Sequence, residues 1–311
     1  MTSPHAHALP TQVGWVGLGA MGLPMASVLL ANEVSLAVFD IAPAAVEQAV
    51  QHGATAAASA ADAAAGADVL VVMVASPQQL DDVLFGSGAA AAALPEGAVV
   101  LVTSTVGPAA VESAATRLSS RGIQVVDAPV SGGVARAGAG DLLFLVSGPG
   151  AARSATQGMV DLMARDAFTF GDRPGDGQRV KLVNQLLCGV HIAAAAEALA
   201  FAESLGLEPA ACYEAIRTGA AASFMLDDRG SRMIEPASEV RSAVSIFVKD
   251  LALVTEAGAE HHAITDLAAA ALEMFEDGAA AGFARDDDSR LIERLRQRAG
   301  LADATSGGAA R

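Results

Sequence analysis

Lys181 stands in the run GDGQRVKLVNQLLCGVHIAAAAEALAFAESL, from Gly175 to Leu205, whose spacing predicts one long helix. With a helix advance of about 100° per residue, Asn184, Gln185 and Cys188 fall within about 60° of Lys181. One stripe therefore combines an amine, two amides and a thiol. An amine whose pKa is drawn toward neutrality by burial or by a neighbouring cation exchanges protons with a hydroxyl at ordinary pH, so general acid/base work is the chemistry to expect of Lys181. From Val190 to Phe201 the same helix is apolar apart from His191 and Glu197, the pattern of a buried helix. A core helix whose first turn is merely polar has the same sequence.

A second cluster lies near the start of the chain. The apolar run Val13 to Gly17 meets GLGAMG, in which Gly17, Gly19 and Gly22 have the spacing G-x-G-x-x-G around Leu18, Ala20 and Met21. A helical pattern follows from Ala20 to Ala31, then an apolar run from Val34 to Phe39 that ends in Asp40. Glycines there let the backbone turn tightly and approach a pyrophosphate at a helix N-terminus, and an acid about twenty residues on accepts from a ribose 2'-hydroxyl. Strand, glycines, helix, strand and acid arrive in the order of a dinucleotide site. Asp40 repels a 2'-phosphate and no Arg follows it, which favours NAD over NADP.

The elements that must hold these residues continue the alternation. Helices are predicted over Pro43 to His52, around Ala60 to Ala65 and over Pro108 to Arg121, and strands over Asp68 to Val74, Val99 to Thr103 and Ile123 to Ala128. Alternating strands and helices form a doubly wound parallel sheet, whose ligands lie at the carboxyl ends of the strands. Ser76 and Thr105 follow two such ends, placed to touch a cofactor ribose or to cap the next helix. A third end reads DAPVSGG, where Ser131, Gly132 and Gly133 offer a hydroxyl and two unhindered backbone N–H groups to a carboxylate. The alternative is a glycine-rich turn into a hairpin at Leu142 to Ser147. After Gly171 strand signals stop and helices are expected over Pro209 to Thr218, Leu226 to Ile234, Ala243 to Glu260, Thr265 to Gly278 and Ser289 to Arg298. In the third of these, FVKDLAL sets Lys249 and Asp250 among apolar neighbours, either as functional charges or as a rim ion pair.

At 311 residues the chain exceeds what one core usually serves. The expected organisation is a tail over 1–12, a Rossmann-type domain over 13–172, an all-helical domain over 173–302 and a second tail over 303–311. A formal charge of −16 with 52% hydrophobic residues argues against nucleic acid or an anionic membrane as partner, while leaving room for an anionic small substrate in a local cationic pocket. No metal site is expected, since His5, His7, His261 and His262 have no Cys or acidic partner at ligand spacing. Cys188 and Cys212 sit in helical patterns, and the first twelve residues lack the pattern of a signal peptide, so a cytoplasmic setting is expected.

GLGAMGLPM, TST followed by Pro108, DAPVSGG, GDGQRVKLVNQ and FVKDLAL together resemble, in order and spacing, the β-hydroxyacid dehydrogenases, the 3-hydroxyisobutyrate dehydrogenase-like family, over roughly Val13 to Leu295. Within it, KLVNQLLCGVHIAAAAEALAFAESLG, RSAVSIFVKDLALV and ARDDDS look closest to the L-threonate dehydrogenase branch. The resemblance implies an α/β Rossmann-type domain followed by an all-α domain, joined by the long helix. It further implies NAD as cofactor, a homodimer or homotetramer, Lys181 as the catalytic residue, Ser131, Gly132, Gly133, Asn184 and Gln185 at the substrate, and Lys249 beside the cofactor. Three positions depart from the family pattern: Val102 stands where the family has an acid, Ala135-Arg136 replaces Gly-Ala, and Gln185 replaces the second Asn of a pair. The last two suit a polar, hydroxylated acid. Other hydroxyacids, imine reduction and a non-catalytic dinucleotide-binding protein are the alternatives.

Overall fold

The computed structural model describes residues 7–235 and 239–301. The chain divides into two compact units, Met1–Lys181 and Leu182–Arg311. In the first, β1 (Val13–Val16), α1 (Gly22–Ala31), β2 (Leu36–Phe39), α2 (Pro43–Gln51), β3 (Thr55–Ala56), α3 (Ala60–Ala64) and β4 (Val69–Val72) make one half of the sheet. The helices α4 (Pro77–Phe85) and α5 (Ala90–Ala93), then β5 (Val99–Val102), α6 (Pro108–Ser119) and β6 (Gln124–Asp127) extend the other half. All six strands are parallel, in the order β3-β2-β1-β4-β5-β6. The central strands β1, β4 and β5 are buried at every position, as strands covered on both faces must be, which is why they read as unbroken apolar runs. The strand order reverses between β1 and β4, and the loops after these strands carry Gly17 and the Val74–Ala75 segment.

A second sheet of three strands follows: β7 (Val130–Ser131), β8 (Leu142–Val146) and β9 (Ala164–Thr169), with α7 (Gly133–Ala139) and α8 (Gly150–Met163) between them. β7 pairs with β8 antiparallel and β8 with β9 parallel. Only β8 is apolar enough to be predicted. β7 is two residues long, and β9 alternates little and is exposed over most of its length, so neither carries a period.

The second unit is helical: the long α9 (Asp176–Ser204), which begins in the first unit, then α10 (Pro209–Ile216), α11 (Phe224–Ile234), α12 (Val244–Glu260), α13 (Asp266–Gly278), a π-helical turn (Ala279–Phe283) and α14 (Leu291–Ala299). Its core gathers Ile192, Ala196 and Leu199 of α9 with Phe247 and Leu251 of α12 and Phe275 of α13. Gly189 lets α9 and α12 meet, because a Cβ there would lie 2.7 Å from Leu251 Cδ2. By length and composition Asp176–Ser204 would pass as a membrane span, but 56% of its apolar window is buried inside the protein, which is how a core helix is used.

By its contacts the first turn of α9 groups with the first unit, to which it is bonded through Gln178, as described below. Residues 7–12 are also tied down: the N–H groups of Thr11 and Gln12 each donate to Asp68 at 3.0 Å, and His7 pairs with Asp161 at 2.8 Å. The rest of the expected tails, 1–6 and 303–311, lies outside the described residues.

Candidate active site

The turn after β1 shows why each glycine is there. Gly17 has φ +98°, and a Cβ on it would come closer to the carbonyl oxygen of Met73 than the 3.0 Å that real Cβ atoms respect. Gly22 is barred from a side chain in the same way by the carbonyl of Gly17. The buried Trp15 fixes that carbonyl, its indole N–H donating to Gly17 O at 2.8 Å. Gly19 differs from both. It is exposed, its φ is ordinary, and no protein atom lies within 4 Å of where its Cβ would be. Packing therefore explains Gly17 and Gly22, whereas Gly19 leaves open space in front of the turn at the head of α1, a place where a pyrophosphate fits. Leu18, Ala20 and Met21 complete the loop.

Asp40 ends β2 and faces the same loop. Its Oδ2 accepts from Leu18 N at 2.6 Å and its Oδ1 from Ala42 N at 2.8 Å. Each carboxylate oxygen retains a lone pair for a ribose hydroxyl. Asp40 thus shapes the glycine loop as well as presenting charge to it. Ser76 caps α4 by accepting from Gln79 N at 3.2 Å, so its hydroxyl has the structural role weighed for it, and its proton and second lone pair are left for another partner. Thr105 is half-buried in the loop after β5, next to Ser104, whose hydroxyl accepts from Val74 N at 2.7 Å.

At the DAPVSGG segment, Ser131 closes β7, and Gly132 and Gly133 have φ +145° and +80°. The N-cap of α7 is Gly132, which brings no side chain to the N–H groups of the first turn. A Cβ on Gly133 would meet no protein atom within 4 Å, while the stem of Arg136 folds back over Gly132, with Cδ 3.1 Å from a Cβ position there. The Arg136 guanidinium reaches Asp141, Nε to Oδ2 3.5 Å.

The start of α9 carries a buried polar node that the sequence reading passed over. Asp127, at the end of β6, accepts through Oδ2 from Gly175 N and Gln178 N, both at 2.9 Å, and from the Ser147 hydroxyl at 3.2 Å. Ser147 Oγ in turn accepts from Gly177 N at 2.9 Å. Two first-turn N–H groups and the one before them are thereby satisfied, and the carboxylate sits at the positive end of the helix. Burial pushes the Asp127 carboxyl above its ordinary range, against the hydrogen bonds from Gln178, Gly175 and Ser147. Gln178 is fully buried and uses all its amide capacity: Oε1 accepts from Val106 N and Gly107 N at 3.0 Å, and Nε2 donates to Ser104 O at 2.9 Å and Asp127 Oδ1 at 2.8 Å. An acid ending an apolar strand and a Gln in a glycine-rich helix start were the available signals. Neither carries a spacing rule.

Three residues beyond Gln178 lies Lys181, 5% exposed and the last residue of the first unit. Further along the helix, Asn184 Nδ2 donates to Cys188 Sγ at 2.9 Å. Gln185 is buried, with its Nε2 donating to Asp250 Oδ2. Asp250, itself 2% exposed, also pairs with Lys249, Nζ to Oδ1 2.6 Å. The buried carboxylate of FVKDLAL therefore orients the Gln185 amide and holds Lys249, in an ion pair whose acid is buried and whose lysine is partly exposed. Among the described residues no group of three or more His, Cys, Asp or Glu side chains could hold a metal ion.

Residues 12–171 match the family model described as the NAD binding domain of 6-phosphogluconate dehydrogenase, and 175–295 match NAD-binding of NADP-dependent 3-hydroxyisobutyrate dehydrogenase. The chain is 38% identical over 281 residues to L-threonate dehydrogenase of Cupriavidus necator, covering 90% of this chain and 95% of the relative. It is 34% identical over 291 residues to NAD-dependent L-serine dehydrogenase of Pseudomonas aeruginosa, covering 91% and 97%. The crystal structure of a 3-hydroxyisobutyrate dehydrogenase from Salmonella typhimurium superposes with a TM-score of 0.85 at 37% identity, covering 91% of this chain and 99% of that one. With glycine loop, strand-end acid and helix-borne lysine in place, the chain belongs to the β-hydroxyacid dehydrogenases, the NAD(P)-binding family of 3-hydroxyisobutyrate dehydrogenase-like enzymes.

Proposed function

We propose that this enzyme oxidises L-threonate to its 2-oxo acid with NAD, and that Lys181 is its general acid/base. The observation that carries the reading is Lys181 itself, a lysine enclosed to 5% exposure one turn past a fully hydrogen-bonded helix start. Lysine is rarely buried unless paired or used. The cradle of Gly17, Gly19, Gly22 and Asp40 fits a dinucleotide: its open glycine has no packing explanation, and its acid disfavours a 2'-phosphate. Nicotinamide, when bound, supplies the hydride acceptor. The neutral amine of Lys181 takes the substrate's hydroxyl proton as the carbonyl forms, and the ammonium returns it in the reverse direction. Ser131 and the N–H groups at Gly132 and Gly133 hold the carboxylate, and Asn184 and Gln185 extend the polar stripe beyond Lys181. Similarity to L-threonate dehydrogenase over 90% of the chain supports the four-carbon sugar acid.

The test is nicotinamide reduction by purified protein with NAD or NADP and a panel of L-threonate, other four-carbon sugar acids, 3-hydroxyisobutyrate and L-serine. The highest kcat/KM is expected for L-threonate with NAD. Activity confined to 3-hydroxyisobutyrate or serine refutes the substrate assignment. We extend the proposal to a homodimer or homotetramer, because Val183, Leu187, Phe201 and Leu205, each 49–64% exposed, fall within about 40° of one another around α9. Sedimentation of Leu187→Glu should give a smaller species than wild type, and an unchanged mass would count against that stripe.

A further inference from the structure

The buried node at the head of α9 contains one residue that the helix does not need. Asp127 and Ser147 already satisfy Gly175 N, Gly177 N and Gln178 N. The Gln178 side chain adds nothing to that cap. It reaches across to the loop after β5, accepting from Val106 N and Gly107 N and donating to Ser104 O, while its remaining N–H meets Asp127 Oδ1. Both ends of the amide are thus spoken for, so its orientation is fixed. Gly177 presses the same turn against β8 and β6, since a Cβ there would collide with Leu145 O and lie 3.0 Å from Asp127 Oδ2.

We propose that Gln178 is a positioning residue for the reaction: its amide locks the first turn of α9 to the 104–107 loop and to Asp127, and so fixes where Lys181 stands. Lys181 is three residues further along, about 4.5 Å up the axis and about 60° round from Gln178. Any slide or rotation of the first turn is passed undiminished to the lysine. The same amide fixes the backbone on either side of the loop that carries Thr105, so lysine and loop keep one register. Proton transfer tolerates roughly 0.5 Å of misplacement, and about 1 Å costs on the order of a hundredfold in rate. The inference rests on Lys181 being the general acid/base.

The test is a double-mutant cycle on kcat with the best hydroxyacid of the panel, using wild type, Gln178→Met, Lys181→Ala and the double variant, each at a temperature where it is folded. Gln178→Met should lower kcat by about tenfold to a hundredfold, shift the pH profile of kcat, and leave KM for the cofactor within a few-fold. On the Lys181→Ala background the same substitution should cost nothing more, because it acts through the lysine. Losses that multiply, or an unchanged kcat in Gln178→Met, overturn the proposal. Should Gln178→Met fail to fold, Asp127→Asn replaces it in the cycle, turning one acceptor of the Gln178 amide into a donor and carrying the same expected and refuting results. If Lys181→Ala alone keeps its turnover, it is the lysine assignment that fails and not the clamp.

Discussion

Gly17 and Gly19 stand two residues apart in one loop, and alanine should do opposite things at each. At Gly17 the substitution forces a side chain into φ +98° and against the Met73 carbonyl. The backbone conformation alone costs about 1–3 kcal/mol, and the collision with the neighbouring strand adds to it. For a unit of this size that is a fall in melting temperature of roughly 2–12 °C, at about 2–4 °C per kcal/mol. At Gly19 the new methyl meets no protein atom within 4 Å and the backbone is not strained. Stability should hold or rise by about 0.4–1 kcal/mol, as for glycine-to-alanine changes that restrict only the unfolded chain. The methyl instead fills the space assigned to the pyrophosphate, so NAD affinity should fall at least tenfold, about 1.4 kcal/mol. Thermal melts without cofactor, paired with calorimetric titration of NAD, read both quantities on the same samples. Gly19→Ala binding NAD as wild type does would refute the account of the loop, as would Gly17→Ala melting unchanged.

Two other perturbations follow from the hydrogen bonding. Asp40→Asn keeps an acceptor for Leu18 N or Ala42 N but removes the charge, so the NAD over NADP preference in kcat/KM should fall by about tenfold, the change expected from roughly 1.4 kcal/mol; an unchanged ratio removes Asp40 from cofactor selection. In the second unit, burial raises the Asp287 pKa, but the Ser289 hydroxyl, the Arg241 N–H and the Arg232 guanidinium outweigh it and hold the carboxyl below its usual 3.8. The stability this contributes is present above that value and is lost as pH falls through the lower folded one. Asp287→Asn should therefore cost about 3–5 kcal/mol near neutral pH, as for breaking a buried ion pair, and the gap to wild type should narrow below about pH 4 in urea unfolding. A gap that stays constant to pH 3 contradicts it.

What the sequence made legible was whatever repeats with a period or obeys a spacing rule. The four-residue strands β1, β4 and β5 are continuous apolar runs because both faces are covered, and G-x-G-x-x-G with Asp40 announces the nucleotide loop on its own. Helices α9 and α12 show themselves by length and apolar content. β7 and β9 stay silent because a two-residue strand has no period and an exposed edge strand needs no apolar face. The partner of Gln185 was equally hidden, since Asp250 lies 65 residues from it in sequence and only the packing of α12 on α9 brings them together, whereas the cap that Ser76 makes on α4 was one of the two roles its position offers. The Gln178 node is of the same kind: four bonds to two segments, the 104–107 loop and Asp127, all more than fifty residues away in sequence, leave no local pattern in the chain.

The central claim is that Lys181 moves the proton, and steady-state kinetics of Lys181→Ala with L-threonate and NAD, alongside NAD binding by the same variant, test it most directly. The account predicts a kcat lower by about 10²- to 10⁴-fold, the usual contribution of a general acid/base, with the Kd for NAD within a few-fold of wild type. Turnover within a few-fold of wild type, in a variant that still binds NAD, would contradict it.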